Sequence, residues 1–250
     1  MVNPPNSPQD TGPTEGDSLE GIVAKVRGCV LCRLHETRTN AVPGEGSDSP
    51  AIMFIGEGPG QTEDEQGRPF VGRAGRLLDE LMAEVPLRRE DVYITNVVKC
   101  RPPENRDPYP DEVTACWPYL EAQIALLQPR VIATLGRHSL QRFIPGARIS
   151  QAHGQSLRWR NIVIFPLYHP AAALRSTGLR DTLAEDMAKL PEAVLYSLTL
   201  NAPPATAQEG TPTAAEADAS HATDDESGRG PGAGGQTEPD AARESQQRLF

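Results

Sequence analysis

Four short apolar runs set the architecture of this chain: "AIMFI" at 51–55, "VYITNVV" at 92–98, "VIATL" at 131–135 and "IVIFPL" at 162–167. Each reads as a buried strand, and helical segments lie between and around them. Helices are expected over 18–28, 73–85, 111–127, 137–144 and 181–197, with Asp17 as the cap of the first. Strands alternating with helices imply a mostly parallel sheet with helices on both faces. Pro118, inside the 111–127 segment, predicts a kink or a later start, because proline cannot donate to the preceding turn.

An open parallel sheet collects ligands at the loops leaving the carboxyl ends of its strands. Three unusual polar stretches fall there: "GEGPG" at 56–60, "TNVVKCRPP" at 95–103 and "YHPAAALR" at 168–175. The glycines and proline around Glu57 allow close backbone approach to whatever that carboxylate faces. A nucleotide-phosphate loop is the weaker reading, since "GEGPG" lacks a following Gly-Lys-Ser/Thr and the G-x-G-x-x-G spacing.

The chain has 250 residues, 38% of them apolar, and no apolar run near the ~18 residues of a membrane span. One medium soluble domain is expected, as a monomer. Residues 1–17 carry no basic stretch followed by an apolar one, so a cytoplasmic address is expected rather than a secretory one. A formal net charge of -10 argues against a nucleic-acid partner until it is divided along the chain. Residues 1–17 hold 3 acids and no bases, 201–250 hold 9 acids and 3 bases, and 18–200 is left at -1. A near-neutral core can still present a basic face. Residues 201–250 are rich in Ala, Gly, Pro, Thr and acids and cannot bury enough surface to offset chain entropy. They and 1–17 are expected to be disordered tails on a folded domain at 18–200.

Cys29 and Cys32 form a C-x2-C pair, whereas Cys100 and Cys116 stand far apart in sequence. A reducing compartment argues against disulfides. Zinc usually takes two close pairs, while a cluster ligated by four thiolates tolerates wider spacing because a cubane is wider than one ion. The ligation rules therefore favour an iron-sulfur cluster over zinc and over buried free thiols, with all three readings open on spacing alone.

Taken together, "GEGPG", "QGRPFVGRAG", "TNVVKCRPP", "HPAAALR" and the C-x2-C … C-x15-C pattern resemble the iron-sulfur uracil-DNA glycosylases, the family 4 enzymes of bacteria and archaea. The resemblance covers roughly 18–197 and leaves out both tails. It implies a three-layer α/β/α fold on the four-stranded sheet and a 4Fe-4S cluster held by Cys29, Cys32, Cys100 and Cys116. It also implies hydrolytic excision of uracil flipped out of single- or double-stranded DNA.

Residue by residue, Phe70 matches the platform on which the base stacks, and Asn96 the amide that reads its edge. His169 matches the catalytic donor toward uracil O2. Glu57 matches the carboxylate that positions water and stabilises a cationic sugar, with Gly58 beside it admitting the base. Glu63 matches a position beside uracil C5 that would exclude the thymine methyl, and Arg175 is a candidate DNA-backbone contact. Each has a plainer reading: core packing for Phe70, backbone capping for Asn96, a loop histidine, a solvated acidic loop for Glu63.

A related subgroup captures uracil-DNA covalently through an inserted basic loop with an extra histidine. Residues 101–110, "RPPENRDPYP", hold no histidine, which favours turnover. The alternatives are a non-catalytic or covalent uracil-DNA-binding iron-sulfur protein and a zinc-stabilised interaction domain. At the end of the chain, "QQRLF", Gln246 to Phe250, resembles the peptides with which bacterial proteins dock on the replication sliding clamp.

Overall fold

The computed structural model describes residues 12–14 and 16–200. Most of the amino-terminal tail, all of 201–250 and the peptide Gln246 to Phe250 lie outside the described residues.

The sheet has six strands in the order β1-β3-β2-β4-β6-β5. Its central four, β2 (Ile52–Gly56), β3 (Tyr93–Asn96), β4 (Val131–Leu135) and β6 (Ile162–Leu167), are the apolar runs read from the sequence, all parallel. The expected four strands become six because β1 (Glu45–Gly46) and β5 (Leu157–Trp159) add one short antiparallel strand at each edge. Two and three residues are too few to show an alternating pattern, so sequence periodicity misses them.

Both faces of the central strands are covered. Along β2, Met53 and Ile55 enter one apolar cluster with residues of α1 (Leu19–Gly28), α4 (Pro110–Leu127) and α5 (Arg137–Phe143). Ile52 and Phe54 enter the other, with α3 (Arg73–Glu84), α8 (Thr177–Met187) and α9 (Leu190–Leu200). Period-two side chains that are apolar on both sides explain why these strands read as continuous apolar runs. Burying each such Leu, Ile or Phe contributes about 1.5–3 kcal/mol, which makes the sheet a stiff base for its loops.

Several boundaries differ from expectation for local reasons. Ser18, not Asp17, caps α1: its Oγ accepts from the Gly21 amide at 3.2 Å. Asp17 instead accepts from Thr14 N–H at 2.7 Å and pairs with Lys25 at 2.7 Å. The 181–197 segment is two helices, α8 and α9, broken after Met187. Helix α4 runs through Pro118 and starts at Pro110, with no delayed start, because proline suits the first helical turn and Glu112 accepts from the Tyr109 amide. Three short helices complete the fold: α2 (Gln61–Gln66), α6 (Ile149–Ala152) and α7 (Pro170–Ala173). No helix among the described residues is long and apolar enough to cross a membrane.

Candidate active site

The loops after β2, β3, β4 and β6 enclose a cavity of about 740 Å³. Glu57, Gly58, Glu63, Phe70, Asn96, His169 and Arg175 all line it, so every residue assigned to the reaction from sequence converges on one space.

The floor is set by close packing at the ends of β2 and β3. Pairing continues past the sheet, Val97 donating to the Gly56 carbonyl at 2.9 Å and Val98 to that of Glu57 at 3.0 Å. A Cβ at Gly56 would collide with Asn96 Oδ1 and the Phe70 ring, so glycine there is what lets amide and aromatic approach each other. At Gly58 a Cβ would stand 2.8 Å from Val98 Cγ2. The glycines of "GEGPG" thus admit this chain's own neighbours as much as a ligand.

Asn96 is 1% exposed, and its Oδ1 has no hydrogen-bond partner. Glu57 Oε1 is likewise buried without one; His138 Nδ1, at 3.8 Å, is too distant to donate. Burial, reinforced by the nearby Asp107 carboxylate and partly opposed by Arg137, pushes the Glu57 pKa up to about 7. Such orphans are rare in folded proteins, and of the three among the described residues, Thr134 Oγ1 being the other, these two belong to residues that line the cavity.

His169 caps α7 through its ring: Nδ1 accepts from the Ala171 amide at 3.1 Å. That bond assigns the remaining proton to Nε2 in the neutral ring. Burial pushes the His169 pKa down to about 4, with Glu63 opposing, so the ring is neutral at physiological pH. Its centroid lies 5.8 Å from that of Phe70.

Phe70 holds a left-handed backbone, φ 51°, which a bulky residue rarely adopts. Two clamps keep it there. Glu63 Oε1 accepts from the amides of Val71 at 3.0 Å and Gly72 at 2.7 Å, capping the amino end of α3 from α2. Arg89 donates to the carbonyls of Pro69 at 3.0 Å and Phe70 at 2.6 Å, and is itself held by Glu45 and Asp79, each at 2.8 Å. The acidic residue read as a gate is therefore also a structural anchor.

The sequence reading missed Asp107, Arg137 and His138, which also line the cavity. His138 Nε2 lies 3.1 Å from Asp107 Oδ2 and accepts from Arg137 Nε at 2.9 Å. The signal was available: Gly136-Arg137-His138 follows β4 directly, at a carboxyl end of the sheet.

Cys29, Cys32, Cys100 and Cys116 line one small cleft between α1, α4 and the segment after β3. Four thiols gathered on one cleft are a soft donor set that fits a thiolate-ligated metal centre such as an iron-sulfur cluster. Arg38 Nη1 donates to Cys100 Sγ at 3.0 Å and the Lys99 amide to Cys116 Sγ at 3.2 Å, the kind of N–H contacts that stabilise ligating thiolates. Burial, with smaller contributions from Cys100 and Cys29 and opposed by Lys99, pushes the Cys116 thiol up to about 12.

Comparisons with known proteins give the class to which this fold and cavity belong, the uracil-DNA glycosylases. The family model for the Uracil DNA glycosylase superfamily matches residues 43–190. The chain is 50% identical to the type-4 uracil-DNA glycosylase of Sulfurisphaera tokodaii over 189 residues, 72% of this chain and 86% of that protein. It is 49% identical to that of Saccharolobus solfataricus over 71% of this chain and 87% of that protein. Identity to that of Thermotoga maritima is 47%, over 70% and 94%. The chain belongs to the type-4 uracil-DNA glycosylases.

Proposed function

We propose that this chain hydrolyses the N-glycosidic bond of uracil flipped out of DNA and leaves an abasic site. The observation that carries the reading is the unpartnered Asn96 Oδ1, buried in the same cavity as a carboxylate of raised pKa and a neutral imidazole.

Each side chain has one task. Phe70 stacks on the base, which gives affinity without identity. Asn96 accepts from uracil N3–H and donates to O4; cytosine presents an acceptor and a donor there and leaves the amide mispaired. His169, with its proton on Nε2, donates toward O2 as negative charge builds on the departing base. Ionised Glu57 holds the attacking water and stabilises the cationic sugar, as carboxylates do in glycoside hydrolysis. Glu63, fixed by two amides, is a rigid wall of the kind that excluding a methyl group beside C5 requires. Arg175, exposed at the rim, contacts backbone phosphate.

Cys29, Cys32, Cys100 and Cys116 would hold a 4Fe-4S cluster. When bound, it supplies a cross-link between the amino-terminal helix and the segment after β3, and no catalytic group is a ligand to it. Residues 18–200 carry the reaction. The Q-x-x-L-F pattern at Gln246 to Phe250 supports docking on a sliding clamp, for which loss of clamp binding on deleting 246–250 is the test.

The reaction is tested with a labelled oligonucleotide holding one uracil, beside thymine and cytosine controls. Release of uracil alone, falling about 10²- to 10³-fold in His169→Gln, is expected. Binding without release by folded, iron-loaded protein would overturn catalysis in favour of a recognition module.

A further inference from the structure

A second groove of about 470 Å³ shares Arg175 with the catalytic cavity and is otherwise lined by Arg73, Arg76, Arg180, Glu80 and the turn before α8. Arg73 and Arg76 lie three positions apart in the first turns of α3, on one face of it. Arg180 comes from α8 and reaches Glu80 at 3.2 Å, an exposed pair worth little. Arg73, Arg76 and Arg175 are exposed, and among the described residues no hydrogen bond or ion pair engages their side chains. By contrast, the arginines that serve the fold are tied down: Arg89 to Glu45 and Asp79, Arg106 to Glu112.

The placement is unfavourable in the free protein. Cations at a helix amino end oppose its dipole, the first turn of α3 holds no acid, and the gathered guanidinium groups repel one another. An anionic occupant would reverse both costs. Helix α3 begins three residues after Phe70 and is capped by the same Glu63 that holds the Phe70 turn. A grip on its first turns therefore fixes the register of the aromatic platform.

Resting on the uracil-DNA reading above, we propose that this groove holds the phosphodiesters flanking the flipped nucleotide. Arg73, Arg76, Arg175 and Arg180 supply the charge, without base identity. The strand then runs from the cavity over Arg175 along the α3–α8 groove.

The test is affinity of the full-length protein for a uracil-free single-stranded oligonucleotide, measured across salt concentrations. It compares R73Q/R76Q, R73K/R76K and, as a charge control, R130Q. Arg130 is exposed just before β4, at the amino end of the sheet and away from the cavity. R73Q/R76Q is expected to bind about tenfold more weakly at low salt and to flatten the slope of log K against log salt by about 1.4, two lost single-strand contacts. R73K/R76K should keep most of the slope, and R130Q should match the unsubstituted protein. Equal affinity and slope in R73Q/R76Q and R130Q would overturn the groove even with uracil release intact. No uracil release by the unsubstituted protein, with the groove effect present, would instead overturn the catalytic reading alone.

Discussion

Asn96 and Lys99 stand three residues apart where the chain leaves β3, both 1% exposed, and their polar atoms meet opposite fates. Lys99 Nζ donates to Thr95 Oγ1 at 2.6 Å, the Asn96 carbonyl at 2.9 Å and Gln123 Oε1 at 2.7 Å, which uses all its protons. Gln123 in turn donates to the Pro43 carbonyl at 2.8 Å and the Tyr93 hydroxyl at 3.1 Å. Asn96 Oδ1 and Glu57 Oε1 have no partner at all. A buried polar group with a complete set of partners holds the fold together; one left open at the cavity is available to a ligand.

Substitution on the open side should cost activity and spare stability. Asn96→Ala is expected to lower kcat/KM for uracil release about 10³- to 10⁴-fold, the scale of losing a base-edge hydrogen bond. Its Tm should hold or rise, because a desolvated, unpaired carbonyl is removed. A parallel loss of stability would erase the distinction.

On the closed side the pattern reverses. Gln123→Ala leaves Lys99 Nζ short of an acceptor, and denaturant melts should show a loss of about 2–4 kcal/mol. Turnover per folded molecule should stay unchanged; a drop in kcat would mean that the network reaches into the catalytic cavity.

Glu57 gives the smallest effect and the most diagnostic. Its carboxyl is raised from 4.5 to about 7, so the folded protein binds this proton more tightly than the unfolded chain. Stability therefore falls as pH rises from about 4.5 to about 7 and stays lower above that. Glu57→Gln should remove that slope, matching the parent at pH 4 and exceeding it by roughly 1 kcal/mol at pH 8, after allowance for solvent screening. The same substitution should abolish the limb of kcat/KM that rises through about pH 7. Identical melting curves for both proteins across this range would show that the carboxylate is solvated.

The central strands were legible because burial on both faces writes itself as apolar runs, and the site was legible because turn glycines and lone polar residues follow those runs. The edge strands β1 and β5 were not, since two or three residues carry no period. Glu63 was read from its motif as a wall beside the base, while its bonds to the Val71 and Gly72 amides depend on α2 meeting α3 in space. Asp107 and His138 escaped notice because their approach to Glu57 joins three loops that sequence order keeps apart. The cysteine pattern suggested the ligand set, and the fold brings all four thiols to one cleft, which their spacing in sequence alone does not show.

Phe70 sits in a backbone conformation that costs a bulky residue about 1–2 kcal/mol, set against four carbonyl and amide anchors from Arg89 and Glu63. That strain is already held in the free protein, with the ring at the cavity wall. On the proposed reading the platform is built before the base arrives, and the ordering that binding demands falls on the nucleotide rather than on this turn.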